Sequence, residues 1–368
     1  MSNFLGINKR FIFSDELYAQ SSSDGLFKPY SEKQVFGNNN YPNLSIGETA
    51  VWNELLVDKY EPDIGTPFSM WSCARRLWSQ YKGSLIEVRR SSDNATQNIG
   101  FNPVNQQLDT VALINFLGTN SGFVRTLYDQ SGRGNHFVQT ILTEQPRIYN
   151  AGVLETANGL PTMFFDGIND KMVVSSSTAT YKFLHDTTDG NFEQYVFMVA
   201  QNGFSSNPAR IMYMLCNDNS TTGAIGFDIN YDDVTGNNIF LVSAMRGVFN
   251  TFAANIFQAN IIIPNRLNVL GIYKTYNTAL LLIERMVAYY NRDKPLPNNF
   301  SPSFGGLPSG APSNFNATTN LFLGSVNATN VALTLGYISE VIIYRRSVFE
   351  NKNLTSIQND ICSFYGVI

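Results

Sequence analysis

Charge is what this chain most conspicuously lacks. Only 15% of its 368 residues are Asp, Glu, Lys or Arg, against about 25% in an ordinary globular chain. Asparagine, at 42 residues, fills much of the gap, so the surface is polar without being charged. With 25 basic residues against 29 acidic ones and a net charge of −4, there is no electrostatic drive toward phosphate, and nucleic acid is excluded as a partner. Cysteine is nearly absent. Cys73, Cys216 and Cys362 stand alone with no CxxC spacing, which excludes a disulfide scaffold and a zinc–cysteine site. The two histidines, His136 and His185, show no metal-ligand spacing. A Ser-His-Asp mechanism would have to use one of them, and both read as loop or rim residues. No run approaches the 18 apolar residues of a membrane span. The start, Met1 to Arg10, lacks the basic-then-apolar order of a signal peptide. The expectation is a soluble protein made in a cytoplasm.

What is present is enough for a core. The hydrophobic fraction is 43%, with 27 Phe and 18 Tyr, so disorder along the whole chain is excluded. Residues 1–65 read as an arm. Turn chemistry at Ser21–Gly25 and Gly37–Pro42 separates isolated apolar anchors at Phe4, Phe11, Phe13, Leu26, Phe27, Trp52 and Leu55. So few anchors cannot form their own core. Their burial needs an extensive interface, above about 1,000 Å². From Thr66–Pro67 a helix is expected, because Trp71, Ala74, Leu77, Trp78 and Tyr81 recur at helical spacing before Gly83. A short helix is expected from Asp109 to Leu117, stopped by Gly118. At the C-terminus Leu354, Ile357, Ile361 and Phe364 share one helical face. Between these lie about a dozen short β-branched or aromatic runs, bounded by Gly, Asn and Asp, and a Pro-, Gly- and Ser-rich loop over 294–317. Many short strands with few helices predict a β-sandwich over residues 66–368.

Two pairs of motifs go beyond composition. Ile86–Ala95 (IEVRRSSDNA) precedes Tyr128–Asn135 (YDQSGRGN), and Phe164–Asp170 (FFDGIND) precedes Gly336–Tyr344 (GYISEVIIY). Read as physics, these are turns first. Two glycines permit a reversal after Tyr128, and Asp129, Ser131 and Asn135 can satisfy its amides. Arg89 and Arg90 are candidates to pair with such carboxylates. Asp129, Asn135, Asp166, Asn169 and Asp170 are the candidate binding residues. Asp228, Asp232 and Asp233 are a candidate calcium cluster, since hard cations take grouped Asp and Asn oxygens, although EF-hand spacing is absent. No other cofactor is expected.

Together the motifs resemble the concanavalin-like, laminin-G-like jelly roll. The VRRSSD and YDQSGRGN pair is similar to the catalytic domain of family 54 α-L-arabinofuranosidases, and equally to jelly-roll modules of tailed-bacteriophage virion proteins. The resemblance implies an all-β sandwich with an extended N-terminal arm, closed by the C-terminal helix. It also implies where carboxylates would sit in a hydrolase. The family's nucleophile corresponds to Met245 in Leu241–Phe249, and its acid/base to Asn327 or Ala328 after Leu323–Gly324. Cys216–Asn217 stands in place of its adjacent cysteines.

With both carboxylates replaced, the sequence alone favours a non-catalytic bacteriophage virion protein, a head decoration, fibre or tail component made in the host cytoplasm. Its arm would dock on capsid or tail subunits within an oligomer, and its sandwich would meet bacterial surface glycans. The alternatives are a glycoside hydrolase of α-L-arabinofuranosidase type and a bacterial surface lectin module.

Overall fold

The computed structural model describes residues 55–185, 193–202, 211–218, 225–232, 239–246, 252–258, 266–275, 286–292, 315–329, 333–346 and 352–368. The chain divides after Glu54, and the described residues all belong to the unit Leu55–Ile368. The expected anchors Phe4, Phe11, Phe13, Leu26, Phe27 and Trp52 lie outside the described residues, as do most of 294–317.

The short apolar runs become strands. In chain order they are β1 Ser69–Ser72, β2 Ile86–Arg90, β3 Thr96–Ile99, β4 Gly122–Leu127, β5 Phe137–Val138, β6 Arg147–Asn150, β7 Val153–Leu154, β8 Thr156–Ala157, β9 Leu160–Pro161 and β10 Met163–Asp166. They continue as β11 Met172–Val174, β12 Glu193–Asn202, β13 Ile211–Cys216, β14 Ile225–Asp232, β15 Ile239–Arg246, β16 Phe252–Gln258, β17 Asn268–Thr275, β18 Met286–Tyr290, β19 Leu321–Leu323 and β20 Leu335–Arg346. Antiparallel pairing runs β3–β2–β4–β6–β10–β20–β12–β17–β18 through a first sheet. A second runs β5–β11–β19–β13–β14–β15–β16. The β4–β5 pairing joins the two. The result is the all-β jelly-roll sandwich that the motifs imply.

Two cores hold it. The first lies between the sheets, where Val196, Met198, Leu270 and Ile272 of one meet Leu215, Phe227, Ile229, Leu321 and Leu323 of the other. The second lies on the back of the first sheet. There Tyr195, Phe197, Val199, Val269, Tyr273, Ile342 and Tyr344 are covered by Leu56, Val57, Tyr60 and Ile64 of a helix Leu56–Ile64, and by Ile357, Ile361, Cys362 and Tyr365 of the terminal helix Lys352–Tyr365. Because successive strand residues point to opposite faces, β12, β17 and β20 feed both cores and read as continuous apolar runs. The terminal helix packs as expected at Ile357 and Ile361, with Phe364 partly buried. The side chain of Leu354 is outside the described residues. Gly271 makes room for this helix: a Cβ there would fall 2.5 Å from Gln358 Oε1. The Gln358 amide in turn donates to the Val269 and Asn291 carbonyls.

The structure departs from expectation after Thr66. Residues 69–72 are strand, not helix, paired with β20 from Ser69↔Ile343 to Ser72↔Glu340. Met70 faces the second core and Trp71 the first, the alternation of a strand. The free edge of β20 outcompetes a helix that would have to be nucleated locally. Beyond Cys73 polar side chains replace regular backbone pairing. Gln130 accepts from Leu77 N–H and donates to the Ser72 and Arg75 carbonyls, and Arg76 donates to the carbonyls of Trp78 and Ser79. Residues 56–64, expected within the arm, are instead helix packed in the second core, with Leu55 just before it. The expected helix over Asp109–Leu117 is present as Thr110–Leu117, with the Asp109 side chain accepting from Ala112 N–H and Gly118 closing it.

One ion pair ties these parts. A bulge in β20 between its pairings Val199↔Glu340 and Ala200↔Ile338 leaves Ser339 extra and changes the phase of the strand. Ile338 and Val341 therefore both face the first core, and Glu340 turns toward the second. There Arg75 donates Nε–H and an Nη2–H to Glu340 at 2.9 and 2.7 Å, and Tyr365 O–H donates at 3.1 Å. The Arg75 guanidinium also stacks on Phe364 at 4.0 Å. Burial alone would lower the Arg75 pKa, but the Glu340 charge and hydrogen bonds outweigh it and raise it. Glu340→Gln should therefore leave a buried, uncompensated guanidinium and cost about 3–5 kcal/mol. In urea unfolding the single variant should lose stability and the double variant Arg75→Met/Glu340→Leu should recover most of it. A single variant as stable as the parent would refute the assignment.

Candidate functional site

The candidate site is the outer side of the second sheet. On β14 Phe227, Ile229 and Tyr231 point into the first core, so Gly226, Asp228 and Asn230 take the opposite face. The register sets Cys216 and Ser243 opposite Asp228, and Met245 opposite Gly226. Met245, which the resemblance sets in place of the family's nucleophile, thus lies diagonally across from Asp228, two residues along the ladder. The Asn230 amide donates to Asp228 Oδ1 at 2.7 Å, and Cys216 Sγ donates to Asp218 Oδ1 at 3.1 Å. Burial, followed by the charges of Asp218 and Asp228, pushes the Cys216 thiol well up, so it stays protonated. Asn217 locks the corner. Its side-chain oxygen accepts from Phe227 N–H at 2.7 Å. A Cβ on Gly226 would fall 2.6 Å from that oxygen, at a backbone φ of +156°, which is why glycine stands there.

The strand β19 lies on the other side of β13, with Phe322 opposite Cys216. After Leu323 the chain turns at Gly324, and Asn327 closes a tight loop by accepting from Thr329 N–H at 2.7 Å. Thr318, Asn320, Phe322, Asn327 and Ala328 line a cleft of about 410 Å³. Thr319 N–H donates to the Asn217 carbonyl, so this cleft adjoins the Cys216–Asp218 corner. The three sequence-distant stretches that the resemblance singles out therefore fall, in their described parts 216–217, 241–246 and 323–328, on or just after strands of the run β19–β13–β14–β15.

The other candidates fall elsewhere. Asp129 organises a turn, accepting from the N–H groups of Met70, Ser131 and Asn135 and from the Ser131 hydroxyl. Asn135 donates to Ser69 Oγ, and its carbonyl accepts from the Trp71 indole. Arg90 pairs with Asp93 at 2.6 Å, within its own motif, and Arg89 donates to Gln145, Asn94 and the Leu142 carbonyl. Neither arginine meets the carboxylates expected for it. His136 accepts from Asp129 N–H, and burial lowers its pKa. His185 is fully buried rather than at a rim, with Nε2 3.0 Å from the Phe315 carbonyl. Asp228 and Asp232 lie four residues apart on β14, about 13 Å at strand rise, too far to hold one ion together. Asp233 is outside the described residues. Among the described residues no group of three His, Cys, Asp or Glu is placed to hold a metal.

Asp166, Asn169 and Asp170 do come together, on the outer side of the first sheet, at a cleft of about 560 Å³. Asp166 Oδ1 accepts from the N–H groups of Ile168, Asn169 and Asp170, and Asp170 Oδ2 accepts from Asp166 N–H at 2.9 Å. Burial, and then the neighbouring Asp166 charge, raise the Asp170 pKa to about 7, against the weaker opposing pull of Arg147 and Lys171. The folded state therefore holds this proton where the unfolded chain, with a carboxyl near 3.9, has lost it. The contribution is fully present below about pH 4 and is lost as pH rises through about 7. Asp170→Asn should flatten stability between those limits and leave the protein more stable than the parent at pH 8. Denaturant titrations across pH measure this, and an unchanged slope would contradict it.

Comparison with known proteins bears out the family resemblance. The family described as "Alpha-L-arabinofuranosidase B, catalytic" matches residues 58–236. A probable α-L-arabinofuranosidase B of Aspergillus clavatus is 40% identical over 76 residues, which are 20% of this chain and 15% of that protein. The α-L-arabinofuranosidase B of Aspergillus oryzae is 37% identical over 76 residues, with the same coverage. The aligned part is thus a small fraction of these relatives' length. In the fold, a family 54 α-L-arabinofuranosidase soaked with a cyclic sulfate inhibitor superposes with a TM-score of 0.58 at 17% identity, over 83% of this chain and 64% of that one. An arabinofuranosidase complexed with arabinofuranosyl-α-1,2-xylobiose gives 0.54 at 16% identity, with the same coverage. These matches overturn the virion reading. They are to a hydrolase catalytic domain and to Aspergillus enzymes, so the expectations of a non-catalytic capsid or tail component, of virion subunits and bacterial surface glycans as partners, and of a virion location all fall.

Proposed function

We propose that this chain is a glycoside hydrolase of α-L-arabinofuranosidase type, acting on arabinofuranosyl-bearing glycans. The observation that carries this reading is the catalytic-domain match across residues 58–236. The polar corner on the second sheet supports it.

Retaining hydrolysis of a glycoside needs two carboxyl groups about 5–5.5 Å apart, one as nucleophile and one as acid/base. The thioether of Met245 and the amide of Asn327 can do neither. The chemistry then falls to carboxylates on the same side of the same strands. Asp228 is the first candidate, two residues along the ladder from Met245 and oriented by Asn230. Asp218, in contact with the neighbouring Cys216 thiol, is the second. In this arrangement Asn217 and Gly226 are positioning residues. They hold the end of β13 against the start of β14, beside the two acids.

The test is release of 4-nitrophenol from 4-nitrophenyl α-L-arabinofuranoside by the full chain. Turnover above a buffer blank is expected. Asp228→Asn should lower kcat by about two orders of magnitude or more, as loss of a positioned acid or base does, while the melting temperature stays near the parent's. Folded parent protein without turnover, or with binding alone, would overturn the hydrolase reading. Full activity in both Asp228→Asn and Asp218→Asn would overturn the residue assignment.

A further inference from the structure

On the outer side of the first sheet the strand register builds a feature that the proposed activity does not use. Arg89 of β2 lies opposite Phe123 of β4, and Phe123 opposite Arg147 of β6. Arg147 lies opposite Phe164 of β10, and Phe164 opposite Tyr337 of β20. Five side chains from five adjacent strands thus form one row across the sheet. Three of its four neighbouring pairs are in ring contact. The Arg89 guanidinium sits 4.8 Å from the Phe123 ring, the Arg147 guanidinium 4.9 Å from the Phe164 ring, and the Phe164 and Tyr337 ring centroids are 5.2 Å apart. At a strand spacing of about 4.8 Å the row is about 19 Å long.

We propose that this row is the floor of a second saccharide-binding surface, one that takes a neutral glycan chain. The inference goes beyond the hydrolase reading and does not rest on it. Four of the five, Arg89, Phe123, Arg147 and Phe164, line the 560 Å³ cleft together with Leu142 and Thr143 and with the Asp166–Asp170 loop, and Tyr337 continues the row beyond it. Floor and walls together offer what a sugar needs: half-buried ring faces for its C–H groups, and polar atoms for its hydroxyls. Arg147 spends only its Nε–H, on Glu155 at 2.6 Å, and its terminal nitrogens donate to no described residue. The Asn169 side-chain amide and the Thr143 hydroxyl likewise make no hydrogen bond to a described residue, and Ile168 stands exposed at the rim.

The charge pattern selects a neutral ligand. Glu155 compensates Arg147. The Arg89 fork is taken up by Gln145, Asn94 and the Leu142 carbonyl. Asp166 and Asp170 border the same cleft, and Lys171 beside them is paired with Glu144 at 2.7 Å. Among the described residues of the cleft, Arg147 carries its charge already met by Glu155 and Arg89 has its donors taken up, so a uronate carboxylate gains little and meets the Asp166–Asp170 loop at a penalty. The Asp166 turn also fixes the position of that loop through three backbone N–H groups, so the wall is formed before any ligand arrives.

Affinity electrophoresis of the full chain in native gels tests this, with debranched arabinan as the neutral probe and polygalacturonan as the anionic one. Arabinan should retard the parent and polygalacturonan should not. Arg147→Gln and Asn169→Ala should each weaken retardation by about tenfold, the loss expected for one or two hydrogen bonds to a ligand. Both variants should leave the rate of 4-nitrophenol release from 4-nitrophenyl α-L-arabinofuranoside at the parent's level, which separates this surface from the proposed hydrolytic site; loss of that rate in step with the loss of retardation would place the binding there instead. Asn169 is a loop residue whose side chain holds no described partner, so its variant is expected to fold even where Arg147→Gln does not. Retention of full retardation by folded Asn169→Ala, retardation by polygalacturonan instead of arabinan, or no retardation of the parent at all would each overturn the proposal.

Discussion

The structure depends on the buried pair of Arg75 and Glu340. Glu340 sits at the middle of β20, the strand that β12 covers along one edge and β1 and β10 share along the other. A charge at that position is costly unless it is fully met. It is met by an arginine from the irregular segment after β1 and by a tyrosine from the terminal helix. Three parts of the chain that are distant in sequence are thereby fixed to one carboxylate. The β20 bulge is part of the same device, because without the extra residue Glu340 would point between the sheets into an apolar core.

With that back layer fixed, the two sheets are free to present their outer sides. Each uses the same logic. Inward positions are apolar and form the first core, and outward positions carry the polar chemistry. On β14 this gives Asp228 and Asn230 one face and Phe227, Ile229 and Tyr231 the other. On β10 it gives Phe164 and Asp166 one face and Met163 and Phe165 the other. The two outer surfaces differ in kind. The second sheet carries a tight corner of buried acids, amides and a thiol. The first carries a long, half-exposed row of rings and guanidinium groups between two polar walls.

Much of this was legible in the sequence. Short β-branched or aromatic runs between Gly, Asn and Asp predict β10, β12, β14, β17 and β20 close to where they lie, because strand preference and turn chemistry are local properties. The Asp109 cap, the Gly118 stop and the terminal helix face are local in the same way. The motifs around Arg89, Asp129 and Asp166 correctly imply the jelly roll. Where the reading failed, a non-local partner decided. Trp71, Ala74, Leu77 and Trp78 have helical spacing, yet the open edge of β20 draws residues 69–72 into a strand, and Gln130 satisfies the backbone that follows. The helix Leu56–Ile64 reads in the sequence as part of an arm because its apolar face has nothing to pack on until the terminal helix lies beside it.

The sites divide along the same line. Composition and spacing by themselves determined the all-β class, the polar and weakly charged surface, and the Asp166–Asp170 turn, whose hydrogen bonds stay within five residues. They could not show that Arg89, Phe123, Arg147, Phe164 and Tyr337 form a row, since that rests on the register of five strands whose order along the chain says nothing of their alignment. Nor could they set Asp228 beside Cys216 and Met245, or separate Asp129 from Asp166. Strand pairing between distant segments decided those placements, because in a sandwich the neighbour of a residue is fixed by the hydrogen-bonded ladder and by which face is buried, and only the folded chain supplies both.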